Sequence, residues 1–322
     1  MEGAQPGHMS THHPSGIRFA GRRREPATRA ILLAGGTGSR LYPMTAHLNK
    51  QLLPVYDKPL VYYPLTTLLY GGVSEILVVT RPDERDVYER LLGDGSRFGV
   101  RLTYAVQTAP RGIADAFLVG ADFVGDEPVA LILGDNLFWG DFGFLRDALA
   151  SVSGATIFAQ EVPDPSRFGV VTFSASGAVR SIAEKPRMPR SSWAIPGLYV
   201  YDARVVSFAR DLEPSDRGEL EISALHQAYL EAGELSARKL PRQMAWIDTG
   251  TAASLYEASA YVARIERSLG VKVGCPEEAA LRMGRISPEA LERHLRAMPA
   301  CPYRAYLERA IPRISAEVAR AG

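Results

Sequence analysis

The sequence has few cysteines and no long apolar run. Its 322 residues include two cysteines, Cys275 and Cys301, which are too few for a disulfide framework, so we expect a protein of the reducing cytoplasm. Neither cysteine has a second cysteine or a histidine at the spacing of a zinc site. No apolar run approaches the roughly 20 residues of a membrane span, and the N-terminus lacks the apolar stretch of a secretory signal. A membrane is therefore not an expected partner.

An excess of charge of one sign is also missing. The 37 lysines and arginines nearly balance the 36 aspartates and glutamates, which gives a formal net charge of +1. This balance provides no overall attraction to nucleic acid, so nucleic acid is not an expected partner, and any anion-binding surface must be local. With 46% hydrophobic and 23% charged residues, the composition is that of a globular protein with a large core.

Short apolar runs alternate with longer amphipathic segments through the first half of the chain. The runs at residues 30–34, 76–79, 130–133 and 155–159 are typical of buried strands, and the segments at 60–70 and 115–123 are typical of helices. This alternation predicts an α/β fold with a doubly wound, Rossmann-like mixed sheet. Further along, we expect a strand near 197–201, a helix near 221–232 and a largely helical region from Ala252 onward.

These patterns divide the chain into three parts. Residues 1–28 are rich in His, Arg, Pro and Gly and lack apolar periodicity, so we expect a disordered extension or a tag. Residues 29–260 are predicted to form the main domain. Residues 261–322 are predicted to form a helical C-terminal extension.

A glycine-rich loop, Gly35-Gly36-Thr37-Gly38-Ser39-Arg40, follows the first apolar run directly. We interpret it as a strand-to-helix turn whose backbone N–H groups converge on an anion, as they do in a nest or at a helix start. Arg40 adds a fixed positive charge whose forked donors suit a phosphate. The lysine of a Walker A loop is missing, and a dinucleotide-binding fingerprint needs a third glycine where Leu41 stands. Taken alone, such a loop is purely structural about as often as it binds phosphate.

The residues after the loop carry a more specific pattern. Lys50-Gln51-Leu52-Leu53-Pro54 and Lys58-Pro59 follow it in sequence. From Gly35 to Pro59 the chain resembles the long signature of the sugar nucleotidyltransferases. The matches at residues 62–64, 91–95, 134–136, 217–222, 246–250 and 275–278 narrow the resemblance to the short bacterial members that transfer a thymidylyl group, and extend it from residue 30 to about 311.

The resemblance implies an activity, a cofactor and an assembly. It implies Mg²⁺-dependent reaction of dTTP with α-D-glucose 1-phosphate to give dTDP-glucose and pyrophosphate, an early step towards deoxysugar nucleotides. It also implies a nucleotide-diphospho-sugar transferase fold and a homotetramer with a second nucleotide site for feedback inhibition. UTP or another hexose 1-phosphate stays open as a substrate, as does a non-catalytic nucleotide-sugar sensor. A nicotinamide-dependent oxidoreductase is disfavoured by the missing third glycine.

Two aspartates are the candidate metal ligands. Asp135 follows a predicted buried strand and so lies at a strand's carboxyl end, where ligands bind in open α/β sheets. Asp248 lies in Trp246-Ile247-Asp248-Thr249-Gly250. Alone, each is more often a helix cap or a turn former. The resemblance implies that both hold the catalytic Mg²⁺, with Asn136 beside them in the substrate site.

The resemblance also assigns the remaining site residues. Arg40 and Lys50 would face the triphosphate, with Gly35, Gly36 and Gly38 supplying the loop. Lys185 and Arg217 would hold the phosphate of the sugar 1-phosphate, and the sugar would contact Gly169, Glu184, Ile195 and Tyr199. The base would contact Gln51, Gln107 and Gly112. Pro196 stands where the family usually has threonine or a similar residue, which puts one hydroxyl contact to the sugar in doubt.

Overall fold

The computed structural model describes residues 28–36 and 38–321. The predicted N-terminal extension, apart from Thr28, lies outside the described residues. Within the described part, no helix is both long and apolar enough to span a bilayer.

Fourteen strands are found among the described residues. They are β1 (Arg29–Leu33), β2 (Pro54–Val55), β3 (Lys58–Pro59), β4 (Glu75–Thr80), β5 (Arg101–Val106), β6 (Val129–Leu133), β7 (Asn136–Trp139), β8 (Ala155–Glu161), β9 (Gly169–Phe173), β10 (Val179–Glu184), β11 (Trp193–Ile195), β12 (Leu198–Tyr201), β13 (Leu235–Lys239) and β14 (Ala245–Asp248).

Eleven α-helices accompany them in the described part of the chain. They are α1 (Tyr62–Tyr70), α2 (Arg85–Leu92), α3 (Asp115–Val119), α4 (Ala121–Val124), α5 (Gly143–Ala150), α6 (Val205–Arg210), α7 (Ile222–Glu231), α8 (Ala252–Leu269), α9 (Pro276–Arg282), α10 (Pro288–Ala297) and α11 (Pro302–Ala321).

A ten-stranded mixed sheet forms the centre of the molecule. Its strands run in the order β10-β9-β11-β8-β12-β6-β1-β4-β5, and β13 pairs with β8. β1 is parallel to both β4 and β6, whereas β12 is antiparallel to β6 and β8. The mixed α/β sheet predicted from the apolar runs is therefore confirmed.

Helices cover both faces of this sheet because successive residues of a strand point to opposite sides. Ala30 and Leu32 of β1 pack in one core with residues of α1, α2, α5 and α9. Ile31 and Leu33 pack in a second core with residues of α3, α4, α6 and α7. Full burial on both faces explains why the strand reads as a continuous apolar run.

Two regions were less visible in the sequence. β7 and β14 form a separate antiparallel ribbon beside the main sheet. α8 runs across the predicted boundary at residue 260, and the division into 29–260 and 261–322 stays a prediction. α9 packs against α1, and Ala279 and Ala280 of α9 belong to the same core as Leu32.

The glycine-rich loop differs from its expected form. Instead of entering an α-helix, it continues into one 3-10 turn over Ser39–Leu41, and α1 does not begin until Tyr62. Gly38 lies in the left-handed region with φ 63°, and Pro43 soon follows, which disfavours a continuing helix. The prediction of a strand-to-helix turn was wrong here.

Candidate active site

A cavity of about 280 Å³ opens at the carboxyl ends of β1 and β6. The predicted site residues that line it are Gly36, Arg40, Lys50, Gln51, Asp135, Asn136, Gly169, Glu184, Lys185, Ile195, Tyr199 and Asp248. These residues come from segments spread over more than two hundred positions of the chain. Side chains of both charges thus meet around one space.

The β7–β14 ribbon brings the two candidate metal ligands together. Asp135 directly precedes β7, and Asp248, the last residue of β14, pairs in register with Asn136. The backbone N–H and hydroxyl of Thr249 both donate to the carbonyl of Asp135, at 3.1 and 2.8 Å. Asn136 Oδ1 accepts hydrogen bonds from Gly197 N–H at 3.0 Å and Trp246 Nε1 at 2.6 Å. The side chain of Asn136 therefore joins the ribbon to Gly197, the residue directly before β12.

The two carboxylates have different electrostatic surroundings. Burial alone would raise the pKa of Asp135, but the ammonium of Lys50 and the amide of Asn136 hold this pKa below its ordinary value. Burial and the neighbouring charge of Asp135 raise the pKa of Asp248. The nearest cation to Asp248 in an ion pair is Arg167, whose Nη2 lies 3.8 Å from Asp248 Oδ2. The charges of Lys50, Arg40 and Arg167 offset this rise only in part, so Asp248 is a carboxylate that a further cation would stabilise.

A buried asparagine holds the segment that carries Lys50 and Gln51. Asn49 Oδ1 accepts from the backbone N–H of Gln51 at 2.9 Å, and Asn49 Nδ2 donates to the carbonyl of Ala34 at 2.9 Å. Asn49 Nδ2 also lies 2.5 Å from the carboxylate of Glu84, a residue that is itself buried. These contacts fix Lys50 against the glycine-rich loop, where a Cβ added at Gly36 would lie 3.4 Å from Lys50 Cε.

Arg40 reaches the cavity from the other end of the glycine-rich loop. A Cβ added at Gly250 would lie 2.9 Å from Arg40 Nη2 and 3.0 Å from Asp248 Oδ2. Gly250 thus leaves room for the guanidinium beside the carboxylate. Gly38 lies outside the cavity lining and turns the loop, since a Cβ there would meet Thr45 Cγ2 at 2.8 Å.

The opposite wall of the cavity carries the second cationic group. Lys185 follows β10, its backbone N–H donates to the carbonyl of Phe168 at 3.0 Å, and its Nζ lies 2.9 Å from Glu184 Oε1. Lys185 adopts φ 40°, a strained conformation for a residue with a side chain. Gly169 pairs in register with Ile195, which places both beside Glu184.

Arg217, the second residue predicted to hold the sugar phosphate, lies outside the cavity lining. Its side chain is exposed, and Nη2 lies 2.7 Å from Glu221 Oε1.

Of the three candidate base-binding residues, Gln51 lines the cavity, whereas Gln107 and Gly112 are not among its lining residues. Gln107 Nε2 lies 3.0 Å from the carbonyl oxygen of Gly112 and 2.8 Å from Asp115 Oδ2. A carbonyl oxygen only accepts hydrogen bonds, so the contacting atom must be the amide nitrogen. Gln107 Oε1 therefore points towards Gly35, where an added Cβ would lie 3.4 Å from it. Gly112 has φ 97°, and a Cβ there would collide with the Leu220 carbonyl oxygen at 2.4 Å.

Several lining residues were missed in the sequence. Arg167 precedes the recognised Phe168-Gly169 match, which was the available signal. Trp246 packs against Phe168 with ring centroids 4.8 Å apart. Ile222, Ser223 and His226 line the cavity from the first turns of α7. Nothing in the sequence distinguishes His226 from an ordinary core histidine.

Similarities to known proteins agree with this architecture. A sequence model described as nucleotidyl transferase matches residues 29–265. Glucose-1-phosphate thymidylyltransferase of Neisseria meningitidis is 50% identical over 283 residues, covering 87% of this chain and 98% of that protein. The enzyme of the same name from Mycolicibacterium smegmatis is 51% identical over 280 residues, covering 87% of this chain and 97% of that protein.

Solved structures show the same relationship. A crystal structure assigned as a glucose-1-phosphate thymidylyltransferase of Bacillus anthracis has a TM-score of 0.68 and 40% identity, covering 73% of this chain and 95% of that chain. A UDP-glucose pyrophosphorylase with bound UDP-glucose has a TM-score of 0.65 and 22% identity, covering 74% of this chain and 99% of that chain. At that identity the second likeness concerns the fold alone.

Proposed function

The chain belongs to the nucleotidyl transferase family, and from this premise we propose that it converts dTTP and α-D-glucose 1-phosphate into dTDP-glucose and pyrophosphate. Enzymes of this family bind a nucleoside triphosphate and a sugar 1-phosphate and generally use a divalent metal. The observation that carries the proposal is the meeting of Lys50, Asp135, Lys185 and Asp248 around one cavity. Two anionic substrates and a cation can be held there together.

The nucleotide is proposed to bind over the glycine-rich loop. Arg40 and Lys50 would neutralise the triphosphate, and the backbone of Gly35, Gly36 and Gly38 would approach it closely because no Cβ intervenes. Gln51, Gln107 and Gly112 would contact the base. The Gln107 amide supports a thymine or uracil, since its free Oε1 can accept the base N3–H, whereas cytosine presents an acceptor at N3.

The metal is proposed to be Mg²⁺, held by Asp135 and Asp248. All the candidate ligands are oxygens, and no cluster of three or more His, Cys, Asp or Glu residues suited to a metal occurs in the described ranges. Two carboxylates suit Mg²⁺, which usually completes its shell with water and phosphate oxygens. The raised pKa of Asp248 marks a carboxylate that a cation would stabilise, so the residues fit the ion. When bound, Mg²⁺ supplies charge neutralisation at the phosphates.

The sugar phosphate is proposed to bind against the second cationic group. Lys185 would hold the phosphate, and Arg217 would join it by leaving its surface pairing with Glu221. Glu184, Gly169, Ile195 and Tyr199 would surround the sugar. Surface ion pairs of this kind are weak, so the exchange of partners would cost little.

The proposed chemistry is an in-line displacement at the nucleotide α-phosphorus. An oxygen of the sugar phosphate forms the new P–O bond, the bond to the β-phosphate oxygen breaks, and pyrophosphate leaves with the electron pair. The attacking phosphate is already ionised, so no side chain is needed as a general base. Arg40, Lys50 and Lys185 would act by positioning and by neutralising charge that two repelling substrates bring together.

The assembly and location belong to the same proposal. We propose a homotetramer in which the C-terminal helices contribute to contacts and to a second nucleotide site with feedback inhibition. A cytoplasmic location agrees with the two free thiols, Cys275 and Cys301.

Pyrophosphate release across a grid of substrates tests the proposal. The purified chain would be assayed with dTTP, UTP, ATP and GTP against several hexose 1-phosphates, with Mg²⁺. We expect the highest kcat/KM for dTTP with glucose 1-phosphate. A UTP preference would instead favour uridylyl transfer, and binding of nucleotide sugars without turnover of any pair would favour the sensor.

A further inference from the structure

A buried histidine forms part of the cavity wall beside the proposed sugar site. His226 lies on α7, lines the cavity and is only 1% exposed. Its ring packs edge-on against the ring of Tyr199, with centroids 4.8 Å apart. It stands one helical turn after Ile222, which lines the same wall.

One ring nitrogen of His226 forms a hydrogen bond with a buried tyrosine. Nε2 lies 2.6 Å from the hydroxyl oxygen of Tyr201, a residue that is fully buried. Among the described residues, His226 is the hydrogen-bond partner of this hydroxyl. If the hydroxyl accepted the bond, its own hydrogen would be left buried without an acceptor. The hydroxyl therefore donates to Nε2, and the imidazole proton resides on Nδ1.

The other ring nitrogen is free to meet a ligand. Within residues 28–36 and 38–321, no hydrogen bond to Nδ1 is found, and Nδ1 is not among the fully enclosed polar atoms that lack a partner. Because His226 lines the cavity, a ligand bound there could accept a hydrogen bond from this N–H. The hydroxyl of Tyr199 has the same status, since it also lacks a partner in the described structure and is 4% exposed.

A nearly buried polar group without a partner is costly unless a ligand completes it. Burial lowers the pKa of His226 to about 3, so the ring is neutral at physiological pH and presents a hydrogen bond rather than a charge. A neutral donor suits a hydroxyl group better than a phosphate. The acidic Glu184 on the same cavity supplies an acceptor, so donor and acceptor together match a polyol.

We propose that His226 is a sugar-contacting residue whose Nδ1–H donates to a hydroxyl of the hexose 1-phosphate and thereby selects for a sugar that bears this hydroxyl. The inference rests on the proposed function. Tyr201 acts as a positioning residue, because its hydroxyl fixes the imidazole tautomer that carries the Nδ1 proton. A site that hydrogen-bonds a substrate hydroxyl discriminates against the analogue that lacks it.

A comparison of deoxy sugars in matched variants tests this assignment. The double variant His226→Phe, Tyr201→Phe removes the donor without leaving the buried tyrosine hydroxyl unpaired. His226→Asn keeps an amide near the position of Nδ1, and Gln227→Ala changes the adjacent exposed residue of α7 as a control. kcat and KM would be measured at saturating dTTP for glucose 1-phosphate and its 2-, 3-, 4- and 6-deoxy analogues.

The expected result is a loss confined to one hydroxyl. The double variant should lose about tenfold in kcat/KM with glucose 1-phosphate, the effect of one lost hydrogen bond. One deoxy analogue should show no such loss, because its partner hydroxyl is already absent. The KM for dTTP, measured separately at saturating glucose 1-phosphate, should be unchanged. His226→Asn should recover most of the preference for glucose 1-phosphate over this deoxy analogue, and Gln227→Ala should show the wild-type preference.

Other outcomes overturn the inference. An equal loss with every sugar, a loss seen as a raised KM for dTTP, or a lowered melting temperature with unchanged sugar preference would mean that His226 is only structural. If the wild-type chain turns over no hexose 1-phosphate with any triphosphate, the proposed function fails, and the inference falls with it. The wild-type assay therefore separates the two failures.

Discussion

At the scale of single residues, the two lysines of the cavity form ion pairs with carboxylates. Each lysine must leave its carboxylate, at least in part, to bind a substrate phosphate. Lys50 pairs with Asp135 and Lys185 pairs with Glu184. The side chain of Lys185 is about half exposed, at 53%, whereas that of Lys50 is 13% exposed. Since exposed ion pairs contribute little stability, Lys185 can be removed without unfolding the protein. The removal of Lys185 should therefore lower the turnover rate rather than the stability of the fold.

Lys185→Ala should therefore reduce turnover while leaving nucleotide binding nearly intact. We expect kcat to fall by about 10²–10³-fold, the size of effect that follows the loss of one donor stabilising charge in a transition state. Titration calorimetry should find dTTP binding close to that of the wild type, and Arg187→Ala, an exposed change two residues away, serves as the control. Lost dTTP binding would contradict the division between the two cationic groups.

Asp115 should govern which base is accepted. The carboxylate and the Gly112 carbonyl both hold Gln107 Nε2, so that Oε1 faces the base. Asp115→Ala removes one of these acceptors, and we expect the amide to rotate and the ratio of kcat/KM for dTTP over dCTP to fall by about tenfold. Asp115→Asn keeps an acceptor and should preserve the ratio. If the ratio is unchanged in Asp115→Ala, Asp115 plays no part in base selection.

His226 should make the folded state sensitive to acid. Its pKa is lowered from 6.5 to about 3 by burial, so between these values the unfolded chain binds a proton that the folded chain does not. Stability is then fully present above pH 6.5 and is lost as the pH falls towards 3, by about 1.4 kcal/mol per pH unit. His226→Asn should lack this loss. In urea unfolding, the difference in unfolding free energy between the wild type and this variant should therefore be smaller at pH 4.5 than at pH 7.5, by roughly 2–3 kcal/mol. A constant difference would mean that His226 protonates freely in the folded protein.

Some of these residues could be found from sequence and others could not. The position of Asp135 at the end of a buried strand, where ligands bind, was predicted from the sequence, and Asp135 does line the cavity. Its role as a metal ligand was implied by the resemblance. Asp248 was identified only through the resemblance, since its meeting with Asp135 depends on the β7–β14 pairing. Asp115 and His226 gave no signal, because a carboxylate early in a helix and a histidine on an apolar face are ordinary features.

At the scale of elements, an ion network joins the β2–β3 hairpin to the end of α8. Lys58 is 4% exposed, its Nζ lies 3.0 Å from Glu266 Oε1, and it donates to the Val273 carbonyl at 3.0 Å. Lys272 also pairs with Glu266 and with Asp57. The second Lys-Pro pair of the sequence signature thus lies in this network, and Lys58 is not among the residues lining the cavity.

Lys58→Met should destabilise the fold without changing substrate affinity. The variant leaves the buried Glu266 with less compensating charge, and we expect a loss of about 3 kcal/mol in the free energy of unfolding. The double variant Lys58→Met, Glu266→Gln should recover part of this loss. Below its melting temperature, Lys58→Met should keep the wild-type KM for dTTP. A raised KM at unchanged stability would instead make Lys58 a substrate contact.

At the scale of the whole molecule, local sequence patterns predicted the strands of the sheet but not the contacts between distant segments. Apolar runs predicted the strands at 30–34, 76–79 and 130–133 because burial on both faces leaves a continuous apolar signal. The pairing of β14 with β7 joins segments over one hundred residues apart, which no local pattern encodes. The contact of α9 with α1 is likewise a long-range packing event.

This long-range packing bears on whether the C-terminal helices are a separate folding unit. Ala279 and Ala280 of α9 lie in the core that contains Ala30 and Leu32, while α10 and α11 share a further cluster with Cys275 and Leu281. Ile286 contacts both clusters. A continuous chain of apolar contacts therefore runs from the central sheet to α11, and we expect the chain to unfold as one cooperative unit.

Calorimetry of the full chain should show one endotherm, and a core change in α11 should move all of it. Leu307 is fully buried, so Leu307→Ala should cost about 2–5 kcal/mol and lower the single transition temperature. Glu308→Ala, at the exposed neighbouring position, should leave it nearly unchanged. If Leu307→Ala splits off a small early transition while the main one stays in place, α11 melts on its own. In that case the apolar path through Ile286 would be too weak to couple the C-terminal helices to the sheet that builds the cavity.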